Sequence, residues 1–208
     1  MKIVAHQGYW KNKKEKNQET AFRRAFELGL GVELDIRDLS GELVVSHDIP
    51  AGQELRFSDF LKLYAEFGTH LPLALNIKSN GLQFKLKRLL QTHGAANYFV
   101  FDMSIPHTRH YLSQGLKVFS RQSEIEKTPC FYHEAAGVWL DCFYRDWANE
   151  KLVRDHINAG KKVCLVSPEL HGRNHDPFWK KIRRISVIGN KNLLMCTDYP
   201  EKALEFFQ

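Results

Sequence analysis

The sequence predicts a compact TIM (β/α)8 barrel with a β-hairpin inserted after the second strand, a single domain over residues 1–208. Three observations carry that expectation. Short apolar strand-like runs alternate with amphipathic helical stretches, as in parallel βαβ units. With the hairpin partner set aside, the strands number about eight, the count of a closed barrel. Their C-terminal ends carry polar residues that a core would not choose, among them His6, Asp35, Asn76, Arg121, Asp141 and Asp198. In a barrel those ends converge on one face, where such enzymes do their chemistry. A doubly wound open sheet is the main alternative, and no GxGxxG follows the first strand to support it.

The first strand, residues 2–6, ends in His6, Gln7 and Gly8. A polar loop with Lys11, Lys13, Lys14 and Lys16 follows. Ala21, Phe22, Ala25, Phe26 and Leu28 then recur at helical spacing, which predicts a helix over 19–28 that Gly29 ends. Residues 32–37 and 43–47 alternate about Ser40 and Gly41, a hairpin pattern. Helix 57–67 closes at Gly68, and strand 71–78 and helix 82–92 come next. Strand 98–102, a helix from Pro106 to about Gln114, and strand 117–121 continue the alternation. Strands 137–141, 162–167 and 193–198 then alternate with helices 149–158, 177–185 and 200–207. Asp102, just ahead of a helix, reads as an N-cap.

At 208 residues and 43% hydrophobic content the chain can bury one substantial core. No run of about eighteen apolar residues is available to span a membrane. The opening MKIVAHQGYW lacks the pattern of a secretory signal, so a cytoplasmic location is expected. Cys130, Cys142, Cys164 and Cys196 form no CxxC pair, and reduced, buried thiols are expected. A formal charge of +6 favours anionic partners such as phosphate esters, lipid headgroups or nucleic acid. No basic helix with interleaved aromatics supports nucleic acid as the partner.

Chemistry concentrates in residues 31–50. Alternation puts Glu33, Asp35 and Arg37 on one face of a strand, with Val32, Leu34 and Ile36 on the other. Two carboxylates that close repel unless a cation lies between them. Oxygen ligands at this spacing suit Mg²⁺ or Ca²⁺. His47 and Asp48 arrive beside the same edge. A half-exposed sheet with solvated carboxylates accounts equally well for the hairpin taken alone.

His6-x-Gly8, Glu33-x-Asp35, and the run from Gly41 through Val44 and Val45 to His47 and Asp48 resemble the glycerophosphodiester phosphodiesterases. The closing Thr197-Asp198-Tyr199-Pro200 is similar to the end of that family's last strand. The resemblance implies a (β/α)8 barrel of the phospholipase-C-like group that hydrolyses phosphodiesters with a divalent metal. It implies His6 and His47 as general acid and base, and Glu33 and Asp35 as metal ligands. Asn76 occupies the position of a third ligand, usually Glu, and Lys78 that of a phosphate-facing lysine. Two histidines with ordinary pKa near ~6.5 can divide proton transfer at neutral pH.

The departures are Gln7 in place of the family's usual arginine, Lys16-Asn17 in place of Glu-Asn, and Asn76 itself. Candidate substrate contacts are therefore Lys78, Gln7 and Arg121, with Glu169 and His171 in the segment 167–173 expected to overhang the site. That segment reads equally well as a charged surface loop. The function expected is metal-dependent hydrolysis of a small phosphodiester, a glycerophosphodiester-like headgroup or phosphoglycan intermediate. The alternative is a catalytically silent barrel that binds a phosphorylated ligand.

Overall fold

In the computed structural model, which describes residues 1–208, one sheet contains all the strands. They are β1 (Lys2–His6), β2 (Gly31–Leu39), β3 (Glu42–Val45), β4 (Leu73–Ile77) and β5 (Tyr98–Phe101), then β6 (Phe119–Gln122), β7 (Gly137–Leu140), β8 (Lys162–Val166) and β9 (Leu193–Thr197). Their order is β5-β4-β2-β1-β9-β8-β7-β6, with every neighbouring pair parallel. A bridge between Val100 and Val118 brings β5 to β6, so eight parallel strands make a nearly closed barrel. β3 runs antiparallel to β2 with Ile36 opposite Val45. Ser40 and Gly41 take φ of 50° and 81° in the turn, the doubly positive geometry whose twist matches a hairpin.

The helices are α1 (Glu19–Glu27), α2 (Phe57–Glu66), α3 (Gln83–Thr92), α4 (Ile105–Ser113), α5 (Glu150–Asn158), α6 (Asp176–Arg183) and α7 (Pro200–Phe207). The β6–β7 connection has none. Strand alternation sorts the apolar residues into two layers. Val32, Leu34, Ile36, Leu73 and Leu75 pack outward with Phe22, Phe26, Phe60 and Tyr64 of the surrounding helices. The other parity forms a separate interior cluster that includes Val4, Phe99, Phe101, Phe119, Trp139, Cys164 and Cys196. Phe99 stacks on Phe119 at 3.7 Å and Phe101 on Trp139 at 3.9 Å, filling the barrel below the polar strand ends. At Gly31 a Cβ would lie 2.4 Å from the Pro72 ring, so only glycine lets β2 start this close to β4.

Three expectations are corrected. The strand expected over 71–78 begins at Leu73, because Pro72 has no N–H to offer a neighbouring strand. Asp102 is not the cap of α4, which is Ser104; it sits at φ 67° and binds Arg121 instead. Cys130 is exposed, since no helix or strand covers the β6–β7 connection, whereas Cys142, Cys164 and Cys196 are buried; all four are free thiols.

Candidate active site

His6, ending β1, and His47, just past β3, line one open cleft of about 680 Å3 with Gln7, Lys16, Asn17 and Leu170. Strand register places His6 opposite Glu33 and Asp35 opposite Asn76. The inward parity of β1, β2 and β4 thus collects the polar residues at one end of the barrel.

His6 Nδ1 lies 2.6 Å from Asp198 Oδ1, and its Nε2 lies 3.9 Å from Glu33 Oε2. An Nδ1–H donated to Asp198 leaves Nε2 to take or give a proton. Burial alone would lower the His6 pKa; the bond to Asp198 and the charges of Glu33 and Asp198 outweigh it and raise it above 6.5. Asp198 is itself held. Its N–H donates to Glu169 Oε1 at 3.1 Å, and the same carboxylate accepts from the Ser167 and Thr197 hydroxyls. Glu169 therefore spends its oxygens bracing the ends of β8 and β9, not facing the cleft.

Gln7 and Asn17 also turn inward. Gln7 Nε2 donates to Asp35 Oδ2 at 2.6 Å and Asn17 Nδ2 to the same oxygen at 2.8 Å, while Lys78 Nζ is 3.3 Å from Asp35 Oδ1. Both hold left-handed backbone, φ 55° and 59°, a strain of about 1–3 kcal/mol each that persists only where the surroundings enforce it. The Asn17 N–H bond to the Gln7 carbonyl at 3.0 Å helps do so. Glu33 accepts the Gln7 N–H at 3.2 Å. Burial and then repulsion from Asp35 push the Glu33 carboxyl up to about 7, with His6 and Lys78 pulling it back.

No three His, Cys, Asp or Glu side chains converge into a metal cage. The oxygen set is mixed instead: two nearly fully buried carboxylates, Glu33 and Asp35, beside the buried Asn76 Oδ1, which has no hydrogen-bond partner. Leaving such an acceptor unpaired costs about 1–3 kcal/mol. An orphaned oxygen beside a carboxylate with a raised pKa fits a hard divalent cation, although Asp35 already bonds Gln7, Asn17 and Lys78.

Arg121 and His171 share this barrel end but do not line the histidine cleft. Arg121 binds Asp102 through Nε at 3.1 Å and through Nη2, faces Glu126 at 3.6 Å, and lines a separate cavity of about 230 Å3. His171 Nε2 lies 2.6 Å from Asp141 Oδ1, with its ring 4.7 Å from Phe143.

No family model and no curated protein matches the sequence. Solved structures do. A Galdieria sulphuraria protein inferred to be a glycerophosphodiester phosphodiesterase superposes with a TM-score of 0.77 at 18% identity, covering 99% of this chain and 97% of that one. The glycerophosphodiester phosphodiesterase of Agrobacterium tumefaciens gives 0.74 at 17% identity, covering 99% and 98%. This chain has the glycerophosphodiester phosphodiesterase fold. An Oleispira antarctica phosphodiesterase, solved in complex with the product sn-glycerol-3-phosphate, gives 0.70 at 15% identity over 99% and 96%.

Within that fold, sequence reasoning left three residues without a role. Asp198 belonged to the closing motif, and its position at a strand end beside β1 was the signal. Asn17 stood out only as half of an altered pair. Arg37 shared the Glu33 face by alternation; its guanidinium donates to the carbonyls of His47 at 3.1 Å and Lys78 at 3.2 Å, tying the hairpin loop to the end of β4.

Proposed function

We propose that the chain is a phosphodiesterase acting on a small glycerol-phosphate diester, with His6 and His47 as its proton-transfer pair. The observation that carries this reading is the pairing of His6 with Asp198 at the wall of a cleft that His47 also lines. Cleaving a phosphodiester takes a proton from the attacking oxygen and gives one to the leaving oxygen. His6, oriented by Asp198, has one ring nitrogen committed and the other available. The His47 side chain is 59% exposed and its imidazole makes a polar contact only with the Asp48 carboxylate, at 3.1 Å, so the ring is free to meet a substrate in the cleft. Lys16 lines the same cleft and supplies positive charge for a phosphate. The sn-glycerol-3-phosphate bound by the Oleispira neighbour points to a glycerol-phosphate ester as the substrate class.

Glu33, Asp35 and the Asn76 carbonyl oxygen would hold a divalent cation, Mg²⁺ or Ca²⁺. Such an ion supplies charge stabilisation at a phosphoryl oxygen. Replacing Asn76 by Asp adds an ionised donor where a neutral oxygen now stands. Asn76→Asp is expected to tighten Mg²⁺ or Ca²⁺ binding about tenfold by calorimetric titration, because ligand charge tunes affinity. An unchanged titration removes Asn76 from the ligand set.

The saturation of Asp35 by Gln7, Asn17 and Lys78 favours a second reading, a silent barrel that binds a phosphorylated ligand. One assay separates the two: hydrolysis of glycerophosphodiesters and bis-p-nitrophenyl phosphate with Mg²⁺, Ca²⁺ or EDTA, run beside His47→Ala. Metal-dependent turnover that falls about 100-fold or more in the variant supports the enzyme. No turnover across the panel, together with no metal binding, supports the silent barrel.

A further inference from the structure

Seven large apolar or aromatic side chains are exposed, and their placement is uneven. Five of them, Phe84, Ile105, Ile125, Tyr144 and Tyr199, lie on connections or first helical turns that follow the C-termini of the parallel strands, the end where the cleft opens. Ile49, past the antiparallel β3, lines the cleft itself. Leu28, at the end of α1, is the exception. Single exposed apolar residues are ordinary. Their order around the rim is less so. Going round the barrel from the β2–β3 hairpin through β4, β5, β6 and β7, each successive connection carries one tip: Ile49, Phe84, Ile105, Ile125, then Tyr144. Ile49 is 85% exposed and Tyr144 77%.

The charge at the rim points the same way. On the other side of β2, the connection after β1 carries Lys11, Lys13 and Lys14, all exposed and none in an ion pair. Three of the rim carboxylates are hydrogen-bonded within the protein, whereas Asp48, beside the Ile49 tip, is 94% exposed and pairs only with His47. Glu124 accepts the N–H groups of Phe143, Tyr144 and Arg145, Asp146 binds Arg173, and Glu54 takes the N–H groups of Ala51 and Gly52. The Glu124 clamp also holds the Tyr144 tip in place.

We infer that this rim docks on an anionic lipid surface. Isolated tips separated by polar residues make a poor match for a protein partner, whose interface needs a contiguous apolar centre. They match a bilayer interface, into which each side chain can insert separately while lysines meet anionic headgroups. Tyr144 suits the headgroup level, where its ring and hydroxyl find apolar and wet surroundings. Docked in this way, the mouth of the histidine cleft faces the headgroups. The docking goes beyond the proposed hydrolysis and does not require it.

The test is co-sedimentation of the full chain with phosphatidylcholine vesicles, with and without phosphatidylglycerol, a readout in which catalysis plays no part. Binding is expected only with phosphatidylglycerol and should weaken as salt screens the charges. Lys11→Glu with Lys14→Glu, and separately Ile125→Ser with Tyr144→Ser, should each weaken binding about tenfold or more while circular dichroism stays unchanged. No binding to either vesicle, or equal binding to both, overturns the inference. So does vesicle binding that the Ile125 and Tyr144 changes leave intact. Sedimentation velocity showing a dimer that those changes dissociate would assign the rim to a second copy of the chain instead.

Discussion

His6→Ala is expected to lower kcat for bis-p-nitrophenyl phosphate by about 10²–10⁴-fold, the range that general acid–base catalysis contributes. KM and the metal titration should change little, because the imidazole is held by Asp198 and is not among the oxygen donors. Asp198→Asn is the companion variant. It keeps a side-chain oxygen near Nδ1 but removes a charge that helps raise His6, so the limb of the pH–rate profile governed by His6 should move to lower pH. The sign of the stability linkage follows from the same shift. A histidine raised by folding adds stability that is fully present below its ordinary 6.5 and is lost as pH rises through its higher folded value. An alanine variant with wild-type kcat would remove His6 from the chemistry. An unmoved pH limb in Asp198→Asn would reduce that carboxylate to a structural anchor.

Glu33→Gln is expected to stabilise the protein in EDTA above neutral pH while impairing metal-dependent activity. Folding raises this carboxyl from 4.5 to about 7, so the folded state favours its protonated form. Its contribution is complete below 4.5 and is lost as pH rises to about 7. Above that the wild type carries the whole cost of an ionised, buried carboxylate beside Asp35. The shift corresponds to a cost on the order of 3 kcal/mol. Thermal melts of wild type and variant should therefore nearly coincide in acid and separate by roughly 5–10 °C at alkaline pH. Mg²⁺ or Ca²⁺ should close that gap by stabilising the wild type more than the variant, through the charge the variant lacks. A variant less stable than wild type at every pH would mean that the bond from the Gln7 N–H outweighs the burial of charge.

What the sequence determined by itself is whatever a short stretch of backbone geometry controls. Alternation along residues 31–39 put Glu33, Asp35 and Arg37 on one face, and the structure sends their outward neighbours Val32, Leu34 and Ile36 under the helices. Ser40 and Gly41 specified the hairpin turn through their positive φ. The alternation of strand and helix was enough to number the strands and place their polar ends together.

Only the tertiary structure decided which polar groups answer one another across those ends. Asp198 reaches His6 over 192 residues because β9 pairs with β1. Gln7, which read as an altered substrate contact, and Asn17, to which the sequence assigned no role, turn onto Asp35. Arg121, a candidate phosphate contact by sequence, is bound by Asp102 from the neighbouring strand end, and Glu169 is bound up with Thr197 and Asp198. Side-chain direction repeats every two residues and can be read along the chain. The partner of a buried charge is set by the register between strands distant in sequence, and desolvation makes it take whichever partner that register supplies.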